Sequence, residues 1–285
     1  MIEVKYESTN GQTFNLSEPP YVMNVENLFD YEWSYATRER RRGDIVAGFS
    51  KKISDTDIVL HILSDSVGWR NSAIDNFNNA IETDIYNGNA GKLWVGEWFT
   101  YGYFVASKNE KWQYDVPIMK KTLKFVREKT SWFRITTRKS FESEIFIPQQ
   151  EDFIKTYDDN YDYRYDYMTD FESSVSLNNP DALPSEFILD IQGEANRPLI
   201  QIGDNIIHFE VDIPQGAHLS VDSTAKTTIM TLADGSTINV FGARDPEYYI
   251  FERIPVGRSR TVWSGDFAWE IQLIEERSEP RWLTV

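Results

Sequence analysis

The 285-residue chain contains no cysteine, which excludes disulfides, thiolate nucleophiles and cysteine-based metal sites. Histidine is scarce: His61, His208 and His218 are the only three, and they lie far apart in sequence. That argues against a histidine-built metal or acid–base centre and favours three strand-surface residues. No apolar run approaches the ~20 residues a bilayer-spanning helix needs. Met1 is followed by the alternating Ile2-Glu3-Val4-Lys5-Tyr6, not by the basic and apolar regions of a secretory signal. Without that secretory route, the acceptor pattern Asn15-Leu16-Ser17 carries no meaning. There is no P-loop, no Rossmann fingerprint and no HExxH. The expectation is a soluble protein synthesised in a cytoplasm, with no cofactor, no resident metal and no membrane partner.

What is abundant is aromatic. Phe, Tyr and Trp make up 14% of the chain, with 9 Trp, more than a small monomer needs and typical of strands and interfaces. The net charge of −16 is unevenly placed. Residues 1–140 carry 19 Lys+Arg and 18 Asp+Glu, a net of +1, whereas residues 141–285 carry 10 and 27, a net of −17. Such asymmetry points to two units with different surroundings. The acidic half lacks the cations that phosphate backbones require, so no sequence-specific nucleic-acid partner is expected.

The chain reads as mainly β. Asn10-Gly11 predicts a hairpin between strands near Ile2–Glu7 and Thr13–Leu16. Apolar runs follow at Tyr21–Phe29, Ile45–Phe49 and Ile58–Leu63. One helix is predicted over Trp69–Ile85, where Ile74, Phe77 and Ile81 form a single apolar stripe and Asn87-Gly88 ends it. Strands resume at Lys92–Val95 and Trp98–Ala106, and Leu123–Arg127 and Trp132–Thr136 read as a pair turned at Lys129-Thr130-Ser131. Thr137–Ser140 closes the near-neutral half. Residues 141–184 form an acidic, tyrosine-rich entry segment. Short alternating strands follow, among them Phe187/Leu189/Ile191, Ile207/Phe209/Val211 and Trp269/Ile271/Leu273, with a hairpin at Ala233-Asp234-Gly235-Ser236. The expected architecture is a β-rich unit with one helix over 1–140 and an antiparallel β-sandwich over 141–285.

The second half carries an ordered set of segments: Gly193-Glu194-Ala195-Asn196-Arg197-Pro198, Gly203-Asp204-Asn205, Ile213-Pro214-Gln215-Gly216, Asp234-Gly235-Ser236-Thr237-Ile238-Asn239, Phe251-Glu252-Arg253-Ile254-Pro255-Val256-Gly257 and the closing Ile274-Glu275-Glu276-Arg277-Ser278-Glu279-Pro280-Arg281-Trp282. In that order they resemble the distal tail (Dit) proteins of siphophages and related tail-derived particles. The resemblance implies an N-terminal belt domain that closes a ring, commonly a hexamer with a central channel, and a galectin-like β-sandwich outside it. It implies a non-enzymatic hub in the virion that joins the tail tube protein to a hub or tail-associated lysin. In some members the ring also carries receptor-binding proteins. No long inserted arm of the kind used to hold them is visible in the second half.

Four candidate sites stand beside plainer readings. Tyr161, Tyr163, Tyr165 and Tyr167 alternate with charges, so a strand there would place four rings on one face; this is a partner or glycan platform or, more simply, a sheet edge covered by rings. Asp158-x-Asn160-x-Asp162 opens like a calcium loop, but Tyr163 stands where glycine is needed and Thr169 where the bidentate glutamate is needed. Arg38, Arg40, Arg41 and Arg42 form a basic run beside Gly43-Asp44, read as a solvated hairpin tip or a ring-interface loop. Trp94, Trp98, Trp112 and Trp132 could line a glycan groove but more often serve as core or interface anchors. The rival functions are a lectin-like module for host surface glycans and a cell-wall hydrolase or esterase.

Overall fold

The computed structural model describes residues 2–24, 27–110, 115–142, 175–263 and 266–281. The chain divides into two compact units, Met1–Ile135 with Glu276–Val285, and Thr136–Glu275.

In the first unit, the hairpin of β1 (Val4–Glu7) and β2 (Thr13–Asn15) forms where Asn10-Gly11 predicts it, with Glu7 opposite Thr13. β3 (Ser17–Glu18) and β4 (Tyr21–Asn24) follow, then β5 (Ser34–Arg40), β6 (Gly43–Ser50) and β7 (Asp55–Leu63). After the helix come β8 (Gly91–Val95), β9 (Trp98–Glu110), β10 (Ile118–Arg127) and β11 (Trp132–Ile135). All pairings are antiparallel. β3, β4, β7, β10 and β9 are neighbours in that order, and β9 also holds β8, which holds β1.

β9 is long enough to serve two sets of partners. Its first half pairs with β8 and, at Phe99 opposite Phe133, with β11; its second half, from Gly102, pairs with β10. The expected hairpin between Leu123–Arg127 and Trp132–Thr136 therefore does not form, because both segments pair with β9 and not with each other. A side chain at Gly102 would collide with the Val126 carbonyl and the Phe125 ring, so glycine permits this close approach.

The helix α1 spans Val67–Asn87, two residues beyond the predicted span at each end. Ser66 caps its start by accepting a hydrogen bond from the Trp69 amide, and Gly88, left-handed at φ 67°, ends it. Ala73, Phe77, Ala80 and Ile81 are buried, which packs the apolar stripe onto β7, β9 and β10. Phe77 lies against Tyr6, Phe14, Tyr21 and Phe104 with ring centroids 5.2–6.1 Å apart. These contacts form the core of the unit.

The second unit is a double β-layer. One sheet orders β19 (Thr237–Asn239), β18 (Thr227–Thr231), β17 (His218–Asp222), β14 (Glu186–Gln192) and β21 (Trp269–Arg277), and β12 (Lys139–Phe141) also pairs with β21. The other orders β13 (Ser176–Asn179), β20 (Gly257–Trp263), β15 (Leu199–Ile202) and β16 (Asn205–His208). Phe187, Leu189, Ile191, Leu219 and Val221 of the first sheet share one core with Leu177, Ile200, Ile202 and Ile207 of the second. Phe187, Leu189, Ile191 and Ile207 follow the alternation predicted from sequence, and each of these nine inward residues is under 3% exposed. Among the described residues no helix is long and apolar enough to cross a membrane.

Candidate functional site

β5 and β6 pair with each other and, among the described residues, with no other strand. Gly43, at φ 108°, supports the turn with a conformation that costs other residues strain. The register sets Tyr35 opposite Phe49, Thr37 opposite Val46 and Glu39 opposite Asp44, and a bulge between Ala36 and Thr37 leaves Ala47 as the extra residue. Strand alternation then places Tyr35, Thr37 and Glu39 with Phe49, Val46 and Asp44 on one face of the ribbon, aromatic toward the base and acidic toward the tip, and Arg38, Ile45 and Arg40 on the other. Every residue of the two strands except Ser34 is exposed, Tyr35 by 66% and Phe49 by 68%.

A two-stranded ribbon is marginal in water by itself. This one exposes a cross-strand aromatic pair, together with outer edges whose backbone groups have no ladder partner among the described residues. Aromatics of this size gain most from burial, and a free edge can add a strand from another chain.

The base of the ribbon is fixed. Buried Arg127 donates from one terminal nitrogen to the carbonyls of Leu28 (2.6 Å) and Asp30 (3.1 Å), with its guanidinium carbon 5.8 Å from the Trp132 ring. Phe29 meets the same ring edge-on at 5.2 Å. Burial pushes the Arg127 guanidinium below its usual range, and Asp30 opposes that shift. On the outgoing side Lys51 lies 4.7 Å from the Trp33 ring and donates to Ser131 Oγ at 3.4 Å. Burial lowers the Lys51 ammonium pKa, Glu276 counters this and Arg127 adds to it. Tyr31, Trp33 and Ile53 beside this base are also exposed. An anchored base under a ribbon that exposes an aromatic pair suits the hairpin to binding another molecule.

Of the residues singled out from sequence, Arg38 and Arg40 share a face of β5, and Arg41 and Arg42 make the exposed turn. None of the four guanidinium groups has an ion-pair partner among the described residues. Tyr161, Tyr163, Tyr165 and Tyr167, the aspartates around Asp158, and Trp112 lie outside the described residues. Trp98 and Trp132 are fully buried, so they are core anchors. Trp94 is half-buried, donates its indole N–H to Glu7 at 3.0 Å and packs on Phe99. His61 and His218 are half-buried strand residues, and His208 is hydrogen-bonded to Asp245 at 2.9 Å.

Sequence reading missed β5 and the Tyr35–Phe49 pair. The run Ile45–Phe49 was visible, but its partner strand is mostly charged or small. A groove of about 580 Å³ opens at the start of α1 between Pro19, Pro20, Tyr21, Asp65, Trp69 and Ile118.

No family model matches this chain, and no curated protein matches it by sequence. Solved structures do. A chain of the phage p2 baseplate in its activated conformation with Sr superposes at TM-score 0.70 with 11% identity, covering 98% of this chain and 100% of that one. The same baseplate with Ca gives 0.68 at 11% identity over the same shares. The SPP1 Dit protein, described as a paradigm of the hub adsorption apparatus in phages infecting Gram-positive hosts, gives 0.59 at 9% identity, covering 97% and 99%. Over nearly its whole length, this chain therefore has the fold shared by a phage p2 baseplate chain and the SPP1 Dit hub protein.

Proposed function

We propose that this chain is a structural, non-enzymatic subunit of a phage or phage-derived tail tip. It assembles with its own copies into a ring, hexameric as the family resemblance implies, between the tail tube protein and the hub or tail-associated lysin. The fold likeness to baseplate and hub chains supports the setting, the virion, after synthesis in the host cytoplasm.

The observation that carries self-assembly is the hairpin Ser34–Ser50, anchored at its base and exposing Tyr35, Val46 and Phe49 together on one face. A hairpin that docks on a different surface of the next copy makes a head-to-tail contact, which closes into a ring when the rotation is right. Residues 1–140, the belt in this reading, are nearly neutral, so copies can pack without strong repulsion. The galectin-like sandwich belongs to the acidic half, where like charge keeps neighbouring lobes apart and offers an acidic surface to baseplate partners.

Negative-stain microscopy of the full chain, alone and mixed with the tail-tube and hub proteins encoded beside it, tests the reading. Six- or three-fold rings with a central hole are expected. Particles that stay monomeric in every mixture contradict it.

A further inference from the structure

The double β-layer unit brings together a donor set that the tail-tip reading does not use. β16 ends at His208, and the chain continues through a bridge at Phe209 to a bend at Glu210. Residues 243–245 run antiparallel beside it: the Phe209–Arg244 bridge is flanked by hydrogen bonds from the Glu210 amide to the Ala243 carbonyl (2.8 Å) and from the Asp245 amide to the His208 carbonyl (3.0 Å). Phe209 is fully buried in the core. Alternation therefore turns His208 to the outer face, with Asp245 directly across from it and Glu210 at the bend that follows. One donor atom from each of the three side chains lies within 4.8 Å of the others.

We propose that His208, Glu210 and Asp245 form a binding site for one divalent transition-metal ion of the zinc class. One imidazole nitrogen with two carboxylates is a donor set for zinc and its first-row neighbours, whereas calcium and magnesium prefer all-oxygen shells. Asp245 is held for the task. Its Oδ1 accepts the Glu247 amide at 2.9 Å, while Oδ2 faces the His208 ring. Such oriented outer contacts are what metal-ligating carboxylates and imidazoles require. His208 and Asp245 are each less than one-fifth exposed, so the ion would sit partly out of water, with its remaining positions open to solvent.

Among the described residues the cation that pairs with this cluster is Arg197, whose guanidinium lies 3.6 Å from Glu210. That pair is exposed and contributes little. Arg197 competes with the metal for Glu210 and makes a useful control.

The test is calorimetric titration of the full chain, stripped with chelator, with zinc chloride, and with calcium chloride in parallel. Cobalt(II) absorption serves as the coordination readout. One zinc ion per chain is expected, with calcium binding at least tenfold weaker. His208→Ala and Asp245→Asn should each lower zinc affinity about tenfold or more and remove the cobalt absorption bands. Arg197→Asn, which suits that residue's left-handed backbone, should leave affinity equal or higher. If His208→Ala does not fold, Asp245→Asn decides. The absence of zinc binding overturns the proposal, as does stoichiometric zinc binding that survives Asp245→Asn with an unchanged cobalt spectrum. The outcome is independent of ring formation.

Discussion

The Tyr6 hydroxyl donates a 2.6 Å hydrogen bond to Asp84 Oδ2, joining β1 to the last turn of α1 across 78 residues of sequence. The other oxygen of the same fully buried carboxylate accepts from Ser8 Oγ (2.8 Å), the Thr9 amide (2.9 Å) and Thr9 Oγ1 (2.5 Å). One acid thus ties the first hairpin to the helix that centres the core. A side chain at Gly91 would strike the Tyr6 hydroxyl, so the strand beside it must come close.

Asp84→Ala leaves several buried donors unpaired and should destabilise the first unit by about 3 kcal/mol, since each orphaned buried group costs about 1–3 kcal/mol. Tyr6→Phe removes one charge-assisted bond and should cost about 1.5–3 kcal/mol. Urea unfolding followed by tryptophan fluorescence measures both. A loss under 0.5 kcal/mol for Asp84→Ala contradicts the keystone role.

Stability should fall in alkali. Burial first, and then Asp84, raises the Tyr6 pKa far above its ordinary value of 10, and burial pushes Tyr21 up to about 12. Both groups are ionised more readily in the unfolded chain, which therefore binds fewer protons there. Their stabilisation is complete below pH 10 and is lost as pH rises from 10 through 12, by as much as about 1.4 kcal/mol per pH unit for each tyrosine. Ultraviolet titration should find two of the tyrosines ionising well above pH 10. Ionisation of all tyrosines near pH 10 with the fold intact would falsify this.

Arg127→Met keeps much of the side-chain volume but removes the donors to the Leu28 and Asp30 carbonyls. A cost of about 2–3 kcal/mol is expected from those two unpaired carbonyls. Hydrogen exchange should rise in peptides covering 27–33, because the hairpin base is released. Equal exchange in variant and parent would show that Arg127 does not anchor the hairpin.

Tyr35→Ser with Phe49→Ser removes the exposed aromatic pair. Both residues are mostly exposed, so the change in monomer stability should stay within about 0.5 kcal/mol for each substitution. Assembly should be lost all the same. Light-scattering mass and a thermal melt separate the two effects: a melting temperature lowered by 10 °C or more would mean that the pair is structural.

Some of this architecture was legible from local pattern. The apolar stripe Ile74/Phe77/Ile81 marks α1, Asn10-Gly11 marks the first hairpin, and Phe187/Leu189/Ile191 marks a strand of the double layer, because burial on one face writes its period into the sequence. Pairing partners were less visible. Lys129-Thr130-Ser131 reads as a hairpin turn, yet β10 and β11 flank β9, since strand order depends on contacts distant in sequence. Ser34–Arg40 showed no apolar alternation because both of its faces meet solvent. Asp245 lies 37 residues from His208, so no spacing rule connects the two.

The account rests on the hairpin meeting a second copy of the chain. Replacing Phe49 with a photo-crosslinking phenylalanine analogue, irradiating the assembled particles and sizing the products by denaturing electrophoresis tests that contact. The prediction is a ladder of covalent multimers of this chain alone, with crosslinked peptides mapping Phe49 to a surface of residues 1–140 in the neighbouring copy. Crosslinks confined to single chains, in particles that are otherwise assembled, would contradict it.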